Sequence, residues 1–317
     1  MKTSNISLAS SSTFILVGIP NLEAVRAWLS IPFCLMYLTI LVGNSTILYV
    51  IQKDPVLHQP MSHFLAMLAF TELGVSLSTM PTVLGIFLAG ATEIDFNACL
   101  AQMYFIHSFS IMESGVLLAM AFDRFVAIYS PLRYSLILTH RRIRATAVGL
   151  SLKSAVLMAP LAVLLKRLPF CHRENVLSHS YCLHSNLISL PCTDTTLNNI
   201  YGLFVVLSTF GLDSVLIALS YALILKTVLG IVSGDGWLKA LNTCVSHMCA
   251  VLVYYVPMIG LAMMHRFGQH PSPLLQVMMA NAYLFIPPVV NPIVYSLKTK
   301  EIRKGIFRNL IQKRGRP

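Results

Sequence analysis

Seven long apolar stretches constrain the fold of this chain more than any other feature of its sequence. They cover residues 28–51, 61–89, 98–129, 143–165, 198–230, 238–264 and 274–297. A helix needs about 20 mostly apolar residues to cross a bilayer, and every stretch is at least that long. Lipid offers the backbone no hydrogen-bond partners, so each stretch is predicted to be a spanning α-helix. The predicted fold is an all-α bundle of seven transmembrane helices at 28–297, with tails at 1–27 and 298–317.

The overall composition excludes the soluble classes of protein. Only 11% of the 317 residues are charged and 56% are hydrophobic, whereas roughly 25% of residues are charged in an ordinary globular domain. A net charge of +11 would suit nucleic acid if it lay on a soluble surface. A chain this apolar has no soluble surface that could bind nucleic acid. We therefore predict that the lipid bilayer surrounds it and that nucleic acid is not a partner.

The distribution of cations between the loops predicts the orientation of the chain. Fifteen Lys and Arg residues fall on the side of the C-terminus and six on the other side. Cytoplasmic loops carry an excess of these residues, so the C-terminus is expected inside and the N-terminus outside. Asn5 begins an Asn-Ile-Ser glycosylation sequon in the N-terminal tail, which agrees, although so short a pattern also arises by chance.

Two carboxylates fall in the middle of predicted spans, Glu72 in the second and Glu113 in the third. An ionisable group at such a depth costs roughly 2.5–3.5 kcal/mol on insertion scales, so each one invites a functional interpretation. Two buried carboxylates on neighbouring helices can share a sodium ion or a proton. A protonated carboxyl bonded to Ser or Asn, with a purely structural role, is the alternative, and both remain open.

Polar and helix-breaking residues also occur within three of the predicted spans. Asp123-Arg124 ends the third span, where the pair can hold together in one state and separate in another, or form a simple interfacial ion pair. Pro257 and Pro287-Pro288 remove helix hydrogen bonds and predict kinks in the sixth and seventh spans. Transporters also use broken helices, so the hinges alone do not identify a function.

Several motifs follow one another in a fixed order along the chain. The third span closes with MAFDRFVAI at 120–128, the sixth opens with KALNTCVSH at 239–247, and the seventh contains PPVVNPIVY at 287–295. Together with Pro60-Met61 and Ser220-Tyr221, these motifs resemble those of the olfactory receptors. The segments FCH at 170–172, LSHSYCLH at 177–184 and MHRFG at 264–268 look like the class I, fish-like receptors of the family 51/52 group. The chain departs from the family pattern at Phe122, Phe125, Tyr129 and Glu72.

This resemblance implies a rhodopsin-like G-protein-coupled receptor of the plasma membrane, with no enzymatic activity and no cofactor. It implies disulfides between Cys99 and Cys182 and between Cys171 and Cys192, although four cysteines alone leave three pairings open. The tail after Leu297 itself predicts a short amphipathic cytoplasmic helix, helix 8. Ile302, Ile306, Leu310 and Ile311 recur there at helical spacing among basic residues, which suits a helix on the anionic leaflet, and a disordered basic tail is the alternative.

The resemblance further implies an odorant pocket between the outer halves of helices three to seven. Arg266 lies nine residues beyond Pro257, about 13.5 Å along a helix, and a permanent cation above an apolar cleft suits a small carboxylate. The alternatives are a loop arginine paired with Glu93 or Asp194, and for His107 a packing role. The expected ligand-binding residues are Arg266, His107, Ile106, Ser110, Met158, Leu161, His184, Gly202, Val205 and Ala262.

Activation is expected at the cytoplasmic ends of the helices. The resemblance implies coupling to the stimulatory olfactory G protein and a rise in cyclic AMP as the sixth helix pivots near Pro257. The residues expected to carry this step are Asp123, Arg124, Tyr221, His247, Asn291, Pro292 and Tyr295.

Other classes of function fit the sequence less well. A transporter would show paired repeats with related broken helices, and an intramembrane enzyme would show converging catalytic groups. His172, His179 and His184 beside cysteines could suggest a metal site, but oxidised cysteines offer no thiolates, so we predict no metal. The nearer alternative is a rhodopsin-like receptor for a non-odorant metabolite outside the nose.

Overall fold

The computed structural model describes residues 13–19, 25–170, 175–231, 235–267, 272–298 and 302–308. Within these ranges the description of side chains omits positions 231, 235–243, 263, 265–267, 273 and 298. Asn5 and Cys171, and the side chain of Arg266, therefore lie outside the described part of the chain.

Seven long helices run through the described residues, and each is apolar enough to cross a membrane. They are α1 (Arg26–Lys53), α2 (Pro60–Leu84, continued by a π-helical turn at Gly85–Ala89), α3 (Phe96–Tyr129), α4 (His140–Lys166), α5 (Thr196–Val206, a π-helical turn at Leu207–Gly211, then Leu212–Ile231), α6 (Asp235–Phe267) and α7 (Pro273–Lys298). Each begins and ends within three residues of a predicted apolar stretch. The prediction of a seven-helix membrane bundle is confirmed.

Local sequence signals set several helix starts. Asp95 accepts hydrogen bonds from the backbone N–H groups of Asn97 (2.8 Å) and Ala98 (3.3 Å) and so caps α3, which satisfies donors that the first turn leaves free. Pro60 stands in the first turn of α2, where a missing N–H does no harm. Short helical turns connect the spans at Pro55–Leu57, Pro131–Arg133, Tyr134–Ile137 and His184–Leu187.

A small sheet, which the apolar pattern did not predict, covers one end of the bundle. Its strands are β1 (Thr13–Leu16), β2 (Glu93–Asp95) and β3 (Asn175–Leu177), in the order β2-β1-β3. Phe14 of β1 pairs with Ile94 in the antiparallel register and with Asn175 in the parallel one. The Phe14 ring also lies 5.7 Å from that of Phe96 at the start of α3, so the sheet is packed onto the helices.

A disulfide between Cys99 of α3 and Cys182 fixes the loop between α4 and α5 at this end, which we call the disulfide end. Gln102, one turn below Cys99, accepts a hydrogen bond from the Cys182 N–H (2.9 Å) and donates to the Ser78 carbonyl of α2 (2.8 Å). Tyr181 donates to the Ala280 carbonyl of α7 (2.7 Å). The loop is therefore tied directly to α3 and α7, and through Gln102 to α2. Cys192 is also disulfide-bonded.

At the opposite end, which we call the Arg124 end, residues 302–308 are helical and pack on the loop between α1 and α2. Ile302 is fully buried in the same apolar core as Leu57, and Arg308 forms an ion pair with Asp54 (3.3 Å between Nη1 and Oδ2). These contacts fit the expected helix 8, and its position on the membrane surface stays a prediction.

We expect the Gln102→Leu substitution to lower thermal stability without unfolding the receptor. It leaves the buried Cys182 N–H without its acceptor, which costs about 1–3 kcal/mol for an unsatisfied buried group. Thermal denaturation of the purified receptor in detergent measures the effect. Asn97→Leu, on the exposed first turn of α3, is the matched control, and equal melting temperatures for the two variants would contradict the assigned role of Gln102.

Candidate functional site

A cavity of about 130 Å³ lies inside the bundle at the disulfide end. Protein ligand cavities usually measure about 300–1,000 Å³, so this one suits a small molecule. Its walls come from α3, α4, α5, α6 and α7, and its roof from residues 183–185 of the loop. The lining residues are His107, Ile111, Met158, Leu161, Leu183, His184, Ser185, Gly202, Val205, Val206, Phe210, Met258, Leu261, Ala262 and Tyr283.

Helical spacing explains how these side chains converge. His107 and Ile111 are one turn apart on α3, and Met258 and Ala262 are one turn apart on α6, so each pair presents one face. Gly202 of α5 has a distinct role: a Cβ atom there would lie 2.8 Å from Cε1 of His184. The glycine therefore allows the loop histidine to pack directly against the α5 backbone.

Most of the cavity wall is apolar, and its polar contacts are few. The Nδ1 atom of His107 lies 2.9 Å from the Met103 carbonyl oxygen and donates to it. In a neutral imidazole, the Nε2 atom is then left as an acceptor, and in a charged one it becomes a second donor. The Tyr283 hydroxyl donates to Oγ of Ser110 (2.6 Å). His107 is thus the polar group that α3 presents to a ligand in the cavity.

The structure brings seven of the ten expected ligand-binding residues into the wall or roof: His107, Met158, Leu161, His184, Gly202, Val205 and Ala262. Ile106 and Ser110 are buried on α3 beside the cavity and do not line it. Ser110 instead serves the packing of α3, since its carbonyl accepts from the Tyr254 hydroxyl (2.7 Å). Position 266 lies in the last turn of α6, four residues beyond Ala262.

A polar core lies deeper in the bundle, between α1, α2, α3 and α7. Asn291 donates a hydrogen bond to Oε1 of Glu72, and Asn44 donates to the Pro288 carbonyl (3.2 Å). Oε2 of Glu72 and Oε1 of Glu113 are buried and accept no hydrogen bond from any described residue. Buried carboxylate oxygens are costly unless a cation, a proton or a donor compensates them.

A second polar network lies between α3, α4, α5 and α6, and sequence reasoning missed it. Asp213 of α5 accepts from Oγ of Ser114 (2.8 Å) and lies 3.6 Å from Nζ of Lys153. The Tyr255 hydroxyl lies 2.7 Å from the same Ser114 oxygen. Like Glu72, Asp213 is an ionisable group within an apolar span. The sequence could therefore have predicted a polar site at Asp213.

At the Arg124 end, the Asp123-Arg124 pair is held by local contacts. Nε of Arg124 lies 3.6 Å from Oδ2 of Asp123, and the Tyr134 hydroxyl donates to Oδ1 of Asp123 (2.7 Å). Burial and the adjacent Asp123 carboxylate raise the pKa of Tyr134 above its usual range, so Tyr134 remains a donor at any physiological pH. Asp123 therefore anchors both the arginine and the loop that follows α3.

The inner ends of α3, α5 and α6 meet in a small apolar group of side chains, which we call the inner cluster. It consists of Ile224, Val228 and Cys244, with Phe125, Ile128 and Tyr221 packed against them. The Tyr221 hydroxyl also bonds to Nδ1 of His247 (2.5 Å) and so joins α5 to α6. Tyr295 of α7 is buried nearby, and its hydroxyl has no hydrogen-bond partner among the described residues.

Comparison with known proteins identifies the family. A family profile described as olfactory receptor matches residues 33–313. Human olfactory receptor 51G2 is 56% identical over 305 residues, which are 95% of this chain and 96% of that protein. Human olfactory receptor 51I2 is 55% identical over 295 residues, 93% of this chain and 94% of that protein. Human olfactory receptor 51A4 is 52% identical over 314 residues, 99% of this chain and 100% of that protein.

These matches span the seven helices and both ends of the bundle. Together with the helices, they make the protein a multi-pass receptor of the plasma membrane that responds to odorants through a G protein, and they exclude an enzyme. The chain belongs to the olfactory receptor family.

Proposed function

We propose that this receptor binds a small carboxylic acid in the cavity beneath residues 183–185 and activates a stimulatory G protein, which raises cyclic AMP. The observation that carries the proposal is the cavity itself. It is small and mostly apolar, and His107 is the polar group on its α3 wall. Such a site favours a short apolar chain with one polar end.

The geometry of α6 supports a charged partner for that polar end. Ala262 lines the cavity, and Arg266 follows one turn later on a helix that continues to Phe267. A guanidinium at the cavity mouth would bind a carboxylate through two parallel hydrogen bonds. A neutral acid would instead donate its O–H to Nε2 of His107.

The disulfide end is proposed to face the outside. Disulfides persist in oxidising compartments, and both described disulfide-bonded segments, at Cys99–Cys182 and at Cys192, lie at this end. Cys34, Cys244 and Cys249 are free and lie within the helices. The excess of Lys and Arg at the opposite side agrees.

Activation is proposed to separate the inner cluster. Engagement of the ligand by the outer part of α6 would tilt this helix about Pro257, because proline leaves a helix hydrogen bond unmade. The tilt would break the Tyr221–His247 contact and expose Arg124 to the C-terminal helix of the G protein. The Tyr295 hydroxyl, which has no hydrogen-bond partner among the described residues, would then be available to Arg124.

Glu72 and Glu113 are proposed to hold a sodium ion or a proton in the resting state. The support comes from two oxygens of these glutamates, Oε2 of Glu72 and Oε1 of Glu113. Both are buried, and neither accepts a hydrogen bond from any described residue. Ser76, one turn after Glu72 on α2, adds a buried hydroxyl that is also without a partner among the described residues. A cation there would favour the arrangement in which α2, α3 and α7 stay together.

The ligand class is tested with a cyclic-AMP reporter and matched straight-chain acids and alcohols. We expect responses to acids, and a potency loss of roughly 10- to 100-fold in Arg266→Ala, since hydrogen bonds to charged groups contribute about 1.5–3 kcal/mol. Arg167→Ala, an exposed arginine at the same end, should leave potency unchanged at equal surface expression. Equal acid potency in both variants would remove Arg266 from the ligand site.

The signalling role of Arg124 is tested in the same cells. We expect Arg124→Ala to reach the surface and to lose most of the agonist-induced cyclic AMP, because the exposed guanidinium is the proposed contact for the G protein. Arg141→Ala, at the exposed start of α4, is the control. A normal cyclic-AMP response in Arg124→Ala would refute the proposed activation step.

The cation site is tested by the sodium dependence of basal signalling in membranes. We expect external NaCl, exchanged for choline chloride at constant ionic strength, to lower basal G-protein activation in the unmodified receptor. In Glu72→Gln and Glu113→Gln this sodium effect should disappear, because each variant removes one negative charge. A sodium response that survives in both variants would show that the ion does not bind there, and a pH response without a sodium response would favour the proton.

A further inference from the structure

A second, larger cavity of about 950 Å³ lies between α5 and α6 at the disulfide end. It adjoins the ligand cavity. Six residues line both cavities: His184, Ser185, Val206, Phe210, Met258 and Ala262. Its other walls include Leu207 of α5 and Ile259 of α6, whose side chains are 59% and 47% exposed. In a membrane, these two side chains face lipid, so this cavity opens sideways into the bilayer.

The described part of the loop covers the ligand cavity beside α3, while the larger cavity also reaches the exposed Ser189 and Asn199 at the disulfide end. Tyr181, Cys182 and Leu183 are buried over the ligand cavity. They are fixed by the disulfide to Cys99, the hydrogen bond from Cys182 to Gln102 and the bond from Tyr181 to Ala280. Opening this roof would break a covalent bond or several buried hydrogen bonds.

The α5 side of the opening has an irregular backbone. A π-helical turn runs from Leu207 to Gly211, and Leu207, Phe210 and Gly211 all line the larger cavity. π-Helical turns inside α-helices are uncommon and frequently lie at functional sites. Here the turn widens α5 beside α6, at the depth where the two cavities share Phe210.

We propose that odorants enter and leave the ligand cavity from the outer leaflet, between α5 and α6, as uncharged molecules. This inference rests on the proposed role of the smaller cavity as the ligand site. A carboxylic acid would take a proton from bulk water before it enters lipid, because an unpaired charge is strongly disfavoured there. Inside, its O–H can donate to Nε2 of His107. The occupant of the opening is therefore a small neutral amphiphile in transit.

Thiol labelling tests the route without a known agonist. Val205, which lines only the smaller of the two cavities, is replaced by cysteine in a receptor whose free Cys34, Cys244 and Cys249 are alanine. Intact cells are treated with neutral N-ethylmaleimide or with a permanently charged methanethiosulfonate, and labelling rates are measured. Glu93→Cys, exposed on β2, serves as the water-accessible reference.

We expect N-ethylmaleimide to label both thiols, and the charged reagent to label Glu93→Cys but to label Val205→Cys at least tenfold more slowly. Adding Leu207→Trp and Ile259→Trp should slow maleimide labelling of Val205→Cys at least fivefold. Leu212→Trp and Val256→Trp, on the same helices and similarly exposed (52% and 60%) but outside both cavities, should change it less than twofold.

Three outcomes would overturn the proposal. Equal labelling of Val205→Cys by both reagents would indicate entry from water, and no effect of the tryptophans at Leu207 and Ile259 would indicate another path from lipid. No labelling by either reagent, with full labelling after denaturation, would show that the opening does not conduct small molecules. None of these outcomes depends on the ligand being an acid, so a failure here is distinguishable from a failure of the proposed ligand class.

Discussion

The disulfide between Cys99 and Cys182 determines how the disulfide end of this receptor is arranged. It fixes the middle of a long loop to the top of α3, and Gln102 extends the attachment to α2. With the loop fixed, Leu183 and His184 become the roof of the ligand cavity. Gly202 lets that roof descend onto α5. The cover over the α3 side of the cavity therefore depends on this one attachment.

Helix α6 connects the cavity to the Arg124 end. Ala262 lines the cavity and Cys244 belongs to the inner cluster, and their separation of 18 positions spans about 27 Å of helix. Midway, Tyr254 and Tyr255 bond to Ser110 and Ser114 of α3. Ser114 in turn is bonded to Asp213, the partner of Lys153. A displacement of α6 must therefore rearrange a polar network that involves four helices, which gives the two ends of the receptor a physical connection.

Much of the fold could be predicted from the sequence because lipid imposes a simple rule. Each spanning segment must satisfy its own backbone hydrogen bonds, so long apolar stretches become helices with nearly the expected ends. The small sheet could not be predicted in the same way. Its strands have three or four residues, and Phe14 and Asn175 pair although about half of the chain separates them, so no local pattern indicates a partner.

The residues that line the ligand cavity can be predicted only as accurately as the face that each helix turns toward the cavity. Neighbouring residues on a helix differ by about 100° around its axis, so His107 lines the cavity while Ile106 is buried beside it. Tyr283, Phe210 and Met258 complete the wall, but their faces depend on how α5, α6 and α7 are rotated in the bundle. Asp213 and Lys153 could each have been singled out as ionisable residues within spans, but their pairing depends on the same rotations.

The most direct test of the central claim is a cryo-electron-microscopy structure of the receptor with its most potent straight-chain acid and a stimulatory G protein. The account predicts density for the acid between α3, α5 and α6 beneath Leu183 and His184, with its polar end near His107 or Arg266. It also predicts that Cys244 has moved away from Ile224 and Val228 and that Arg124 contacts the G protein. An acid bound outside this cavity, or an inner cluster that is intact in the active complex, would contradict the account.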